Sequence, residues 1–86
     1  MAKILVIEDE APIRDNLLRF LRLEGHEVLA AENGRVGLEM ARTHQPQMIL
    51  CDVMMPEMNG VDVLDAVRAD AALSGLCSIF LTAIAD

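Results

Sequence analysis

The sequence predicts an α/β protein, in which four parallel strands and three helices alternate in a doubly wound sheet. Two observations lead to this prediction. Short apolar runs, of the kind that form fully buried strands, recur along the chain, and segments with apolar residues at helical spacing separate them. The order β-α-β-α-β-α-β implies a parallel sheet whose strands are joined by crossover helices.

Length and composition limit the possible classes of protein. The 86 residues suffice for one domain, and a hydrophobic content of 53%, against a usual ~45–50%, disfavours a disordered chain. Acidic residues number 14 and basic residues 7, so the formal net charge is -7. This charge disfavours direct binding to nucleic acid or to anionic lipid, because both need a basic surface.

The N-terminal residues are not typical of a secreted protein. Met1-Ala2-Lys3 leads directly into an apolar run at residues 4–7, which is too short for a secretory signal. No apolar run is long enough to span a membrane. We therefore expect a cytoplasmic protein that does not bind membranes, with Cys51 and Cys77 as buried thiols in apolar runs.

Each element has its own sequence evidence. Strands are predicted at residues 3–7, 26–31, 48–52 and 77–83, and the residues at 69–75 form a connection rich in small side chains. Pro12 suits a helix start and Gly25 a helix end, whereas Asn33 and Asn59 are suitable caps for the second and third helices. The predicted core faces of the three helices are Ile13, Leu17, Phe20 and Leu21; Val36, Leu38 and Met40; and Val61, Leu64 and Val67.

The third strand ends in a single carboxylate, Asp52, which is followed by a loop containing Pro, Asn and Gly. In open α/β sheets, ligands bind just beyond the carboxyl ends of the strands, where Asp52 would lie. Asp is also common at the start of turns, so this strand alone leaves both interpretations open.

Polar residues end two further strands. Glu8 and Asp9 follow the first strand, and Thr82 lies near the end of the fourth. Parallel strands bring these residues to one edge of the sheet, and converging carboxylates either raise their pKa values or bind a cation. Oxygen ligands without a dedicated cage suit Mg²⁺, and a phosphoryl group would complete such a site. The alternative is that the acids merely begin a helix, where the helix dipole favours them.

Three segments of the chain match the motifs of a known family: Ile4-Leu5-Val6-Ile7-Glu8-Asp9-Glu10, Asp52-Val53-Met54-Met55-Pro56-Glu57-Met58-Asn59-Gly60, and Phe80-Leu81-Thr82-Ala83. Together they resemble the receiver domain of two-component response regulators, and the resemblance covers all the residues. The middle motif, Asp followed by Met-Pro and then Gly, is specific. The resemblance implies a flavodoxin-like receiver fold.

The resemblance also implies a role for each site residue. Asp52 is expected to be the phosphoacceptor, and Thr82 the switch hydroxyl that contacts the phosphoryl group. Asp9 is expected to bind Mg²⁺ directly and Glu8 more weakly, while Asp52 and the backbone carbonyl of Met54 complete the ligands. The phosphoryl donor would be a sensor histidine kinase, and the chain would be a signalling module, not an enzyme.

The family continues beyond these segments with a fourth helix, a fifth strand and a fifth helix. The fifth strand normally brings a lysine that pairs with the phosphoryl group, but the only lysine here is Lys3. We therefore expect residues 1–86 to be a partial receiver, truncated after strand four, in which phosphorylation is weakened. Its output, such as transcription regulation by a DNA-binding domain, would lie elsewhere.

Two other functions are compatible with parts of the sequence. A phosphatase with an aspartyl-phosphate intermediate usually carries its nucleophile after the first strand. Here the single candidate acid, Asp52, follows the third strand, which argues against a phosphatase. A structural fragment that is not phosphorylated could form a homodimer through the edge of the fourth strand.

The strand register also makes a prediction about the two cysteines. If Thr82 lies beside Asp52, Cys77 and Cys51 are offset by about 13 Å along the strands, which is too far for a disulfide within one chain.

Overall fold

A computed structural model describes residues 2–52, 60–73 and 78–82. Strands and helices alternate in the predicted order, and their bounds agree closely with the prediction. Within the predicted connection, a short 3₁₀ turn at Ala71–Leu73 buries Leu73. None of the helices in these ranges is long and apolar enough to cross a membrane. The elements are β1 (Lys3–Ile7), α1 (Ala11–Leu23), β2 (Glu27–Ala31), α2 (Gly34–His44), β3 (Met48–Asp52), α3 (Gly60–Ala69) and β4 (Ser78–Thr82).

The four strands form one parallel sheet in the order β2-β1-β3-β4. The chain passes from β1 to β2 on one side and then returns to form β3 on the other side. Where the direction of an open α/β sheet reverses in this way, a crevice opens beyond the carboxyl ends of the two central strands. A binding site is therefore expected at the carboxyl ends of β1 and β3.

Alternate residues of the two central strands pack on opposite faces of the sheet. Leu5 and Ile7 belong to a core cluster that also contains residues of α2 and α3. Ile4 and Val6 belong to a second cluster, which leucines of α1 cover. This period of two, with both faces buried, is the property of a strand in a doubly wound sheet and confirms the predicted fold class.

The inward faces of α2 and α3 differ in part from the prediction. On α3, Val63 and Val67 are buried, whereas Val61 is 46% exposed. Because residues two apart lie on opposite sides of a helix, Val61 and Val63 cannot both face the sheet. On α2, Leu38 is in the core as predicted, but Val36 is 37% exposed.

Helix α1 covers its face of the sheet with leucines and leaves its aromatic residue in solvent. Leu17, Leu18 and Leu21 pack against the cluster on that face. Phe20, predicted to be in the core, is 60% exposed, and Leu23 is 78% exposed. The prediction of Phe20 was wrong because the apolar residues of α1 extend further round the helix than its contact with the sheet.

Gly37 brings α2 unusually close to β1. A Cβ atom at this position would lie 2.7 Å from Cγ1 of Ile7 and still closer to its Cδ1. Ile7 is buried and cannot easily move aside. Although glycine lowers helix propensity, this contact requires it.

We expect Gly37→Ala to lower the free energy of unfolding by roughly 1–3 kcal/mol, as overpacking of a buried contact does. Urea denaturation of the variant would measure this loss. Ile7→Val removes the nearest atom, so the double variant should be more stable than the sum of the two single changes predicts. Simple additivity would show that the contact is not responsible. Gly25→Ala is a comparison without a steric contact, because Gly25 has no neighbour within 4 Å. Any loss of stability in that variant would come from backbone strain at its φ of 88°.

Candidate functional site

The strand register brings the predicted site residues to one edge of the sheet. Ile7 pairs with Cys51 across β1 and β3, so the next residues, Glu8 and Asp52, are neighbours. Asp52 in turn pairs with Thr82 across β3 and β4, which is the register that the sequence predicted. The backbones of three strand ends therefore meet, as expected from their polar residues.

Three carboxylates converge at this edge. Glu8, Asp9 and Asp52 each offer an oxygen atom, and these atoms all lie within 4.8 Å of one another. The side chains of Glu8 and Asp52 are almost fully buried, at 1% and 6% exposure, whereas Asp9 is half-buried. Acids so close and so little solvated repel one another strongly unless a proton or a cation lies between them.

Glu8 is held by hydrogen bonds along most of its length. Its backbone N–H donates to the Ala31 carbonyl at 3.1 Å, and its own carbonyl accepts from Nη1 of Arg14 at 2.9 Å. Its side-chain Oε2 accepts from the backbone N–H of Glu10 at 3.0 Å. The other carboxylate oxygen, Oε1, is buried and has no hydrogen-bond partner among the described residues.

This environment raises the pKa of Glu8 to about 7. Burial is the largest cause; the hydrogen bond from Glu10 opposes it, and the nearby carboxyl groups of Asp9 and Asp52 add to it. Cys51 lies one residue before Asp52 and is completely buried. Burial, followed by the charges of Asp52 and Glu8, raises the pKa of its thiol to about 12, so Cys51 is a packing residue and not a nucleophile.

The cluster fits a hard divalent cation. Its donors are carboxylate oxygens, which Mg²⁺ prefers, and Glu8 Oε1 is a buried acceptor that a cation would satisfy. A divalent charge would also offset the repulsion from Asp52 and Asp9, which adds to the effect of burial on the pKa of Glu8. The predicted ligand Met54 and the predicted cap Asn59 lie outside the described residues.

Lys3, the single lysine of the chain, lies at the opposite end of β1. Its Nζ donates to the carbonyl of His44 at 2.8 Å. As the sequence predicted, Lys3 is too far from the edge that carries Glu8, Asp9 and Asp52 to pair with a group there. The hydrogen bond from Arg14 to this edge was not predicted from the sequence. The one signal for it is the position of Arg14 in the first turns after the acids.

A family model for the response regulator receiver domain matches residues 4–86. This chain belongs to the receiver domain family. Among the solved structures similar to this receiver domain is the N-terminal domain of a response regulator receiver protein from Methanoculleus marisnigri. Its TM-score is 0.90 at 30% sequence identity, and the match covers 98% of this chain and 68% of that one.

The curated relatives of this receiver domain are longer proteins. A probable transcriptional regulatory protein from Picosynechococcus is 45% identical over 74 residues, which cover 78% of this chain and 30% of that protein. Protein PilH of Pseudomonas aeruginosa is 37% identical over 82 residues, which cover 95% of this chain and 68% of PilH. The receiver domain thus spans from under a third to about two thirds of the length of these relatives.

Proposed function

We propose that this receiver domain accepts a phosphoryl group on Asp52 in a Mg²⁺-dependent step of a phosphorelay. The observation that carries the proposal is the cluster of Glu8, Asp9 and Asp52 in a chain of the receiver family, with a buried Glu8 oxygen that has no hydrogen-bond partner in the described part of the chain. The donor would be a phosphohistidine of a sensor histidine kinase. The chain would act as a signalling module in the cytoplasm and would not turn over a substrate.

Asp52 is the carboxylate best placed to accept the group. Glu8 has one oxygen held by the Glu10 N–H and a raised pKa, which disfavours it as a nucleophile at neutral pH. Asp52 is the cluster member that adjoins β4, where Thr82 would offer its hydroxyl to the phosphoryl group. In the transfer, an Asp52 oxygen bonds to phosphorus as the bond from phosphorus to the histidine nitrogen breaks. The electron pair of that bond stays on the imidazole.

Glu8, Asp9 and Asp52 would hold the metal ion, together with the carbonyl of Met54 that the family resemblance implies. When bound, Mg²⁺ neutralises charge on the acceptor and on the phosphoryl oxygens, so that one anion can approach another. The residues of the chain contribute orientation, since Glu10 and Arg14 hold Glu8 in place. The output would be carried by other residues, because a net charge of -7 disfavours direct DNA binding here.

The proposal is tested by intact-mass measurement after incubation with Mg²⁺ and acetyl phosphate. We expect the parent chain to gain one phosphoryl group, and to gain none when a chelator removes the metal. Asp52→Asn should gain none, because an amide is not a nucleophile for this transfer. Asp65→Asn, a change of the same kind at an exposed residue of α3, should behave like the parent.

Absence of any mass gain in a folded parent would contradict the proposal. It would favour the alternative function, a structural fragment that associates through a sheet edge. The observation behind this alternative is that β4 is an outer strand of the sheet in the described residues. Sedimentation of the same sample would then show a concentration-dependent dimer. Hydrolysis of a phosphate ester with turnover would instead indicate a phosphatase.

A further inference from the structure

The contact between Arg14 and Glu8 joins the start of α1 to the end of β1. Glu8 follows the last residue of β1, so α1 supplies a donor for its carbonyl, through Nη1 of Arg14 at 2.9 Å. Arg14 is itself fixed, because its backbone N–H donates to the Glu10 carbonyl at 2.9 Å and it lies in the first turns of α1. The guanidinium is a rigid plane, so a bond from one of its nitrogens also restricts direction.

Fixing the Glu8 carbonyl also fixes the start of Asp9. A peptide unit is planar, so the carbonyl of Glu8 and the N–H of Asp9 turn together. The N–H of Glu8 is already held by Ala31 on β2, and its Oε2 by Glu10. The bond from Arg14 therefore completes the restraint on the segment that carries two of the three clustered acids.

We propose that Arg14 is a positioning residue for the metal site: by holding the Glu8 carbonyl, it orients the carboxylates of Glu8 and Asp9 toward a common cation. The inference rests on the proposed function, because it concerns the same metal. Partners of metal ligands commonly set affinity in this way, and their loss typically weakens binding about 10–100-fold.

Charge alone predicts the opposite effect of Arg14. A guanidinium next to a cation site repels the cation, so removal of the charge should tighten Mg²⁺ binding. If Arg14 orients the ligands, its removal should weaken binding in spite of the lost repulsion. The direction of the change in affinity thus separates positioning from electrostatics.

The experiment is a Mg²⁺ titration of the folded chain, for the parent and three variants. The melting temperature at each Mg²⁺ concentration gives the dissociation constant. We expect Arg14→Gln to raise the dissociation constant about 10-fold or more. Arg14→Lys keeps the charge but loses the planar donor, and should also bind more weakly than the parent. Arg19→Gln, the same change at an exposed residue of α1, should bind as tightly as the parent or slightly more tightly.

Each outcome bears on one proposal or both. If the parent binds Mg²⁺ and Arg14→Gln binds it equally or more tightly, the positioning role is wrong while the proposed function stands. If Arg14→Gln does not fold, Arg14→Lys decides, because its charge is unchanged and parent-like affinity would overturn the inference. If the folded parent does not bind Mg²⁺, the proposed function and the inference fail together.

Discussion

Mg²⁺ is expected to raise the melting temperature of this receiver domain by roughly 10 °C or more at about a hundredfold excess over its dissociation constant. A ligand that binds only the folded state contributes about 2.7 kcal/mol under that condition. In a domain of this size, each kcal/mol moves the melting temperature by about 4–8 °C. Relief of the mutual repulsion of Glu8, Asp9 and Asp52 would contribute to the affinity for the ion, and it is already included in the dissociation constant.

Differential scanning calorimetry with and without Mg²⁺ measures the shift, and two variants locate its origin. Asp9→Asn removes a proposed ligand and should lose most of the shift. Asp15→Asn has the same change of charge on the exposed surface of α1 and should retain it. An equal shift in the parent and in Asp9→Asn would mean that Mg²⁺ merely screens the net charge of -7, and the metal site would be wrong.

Glu8→Gln is expected to stabilise the metal-free chain while weakening its response to Mg²⁺. The pKa of Glu8 is raised from 4.5 to about 7, so its ionisation increasingly opposes folding as the pH rises from 4.5 to about 7. Glutamine keeps an oxygen that can accept the Glu10 N–H but carries no charge. The free energy of unfolding should rise on the order of 1–3 kcal/mol at pH 8.

The pH dependence of this gain follows from the sign of the shift. The folded state binds the Glu8 proton more tightly than the unfolded state, so the penalty is complete above about pH 7 and disappears as the pH falls toward 4.5. Urea denaturation of parent and variant between pH 5 and 8 measures it. Glu24→Gln, at an exposed residue, is the matched control. A gain that does not change with pH would show that the charge of Glu8 is not the cause.

The sequence was sufficient to predict the strands and their register. Each strand is a short apolar run whose bounds are visible in the residue types, and the polar groups that end them predicted the pairing of Asp52 with Thr82. Helix faces were harder, because Val61 and Val63 are equally apolar and only the packing of α3 decides which is buried. Phe20 shows the same difficulty on α1, since hydrophobicity indicates that a residue can be buried, not that a neighbour covers it.

The sequence predicted which carboxylates form the site, but not the hydrogen bond that holds them in place. Convergence of Glu8, Asp9 and Asp52 follows from parallel topology, and the structure brings them together. The bond from Arg14 to Glu8 depends on how α1 leaves the sheet, which no local pattern encodes. The roles of Thr82 and Met54 stay predictions, because they concern a side chain and a loop residue that the described atoms do not include.

The order of the strands has a consequence for the kinetics of folding. Two of the clustered acids lie at the end of β1 and the third at the end of β3, with β2 and two helices between them in the chain. A cation can be held by all three only after β1 and β3 have paired. If the carboxylates of the two strands come together only after the folding transition state, the ion stabilises the finished domain without helping the earlier steps. Mg²⁺ should therefore slow unfolding and leave the folding rate almost unchanged, so that the bound metal prolongs the lifetime of the folded receiver.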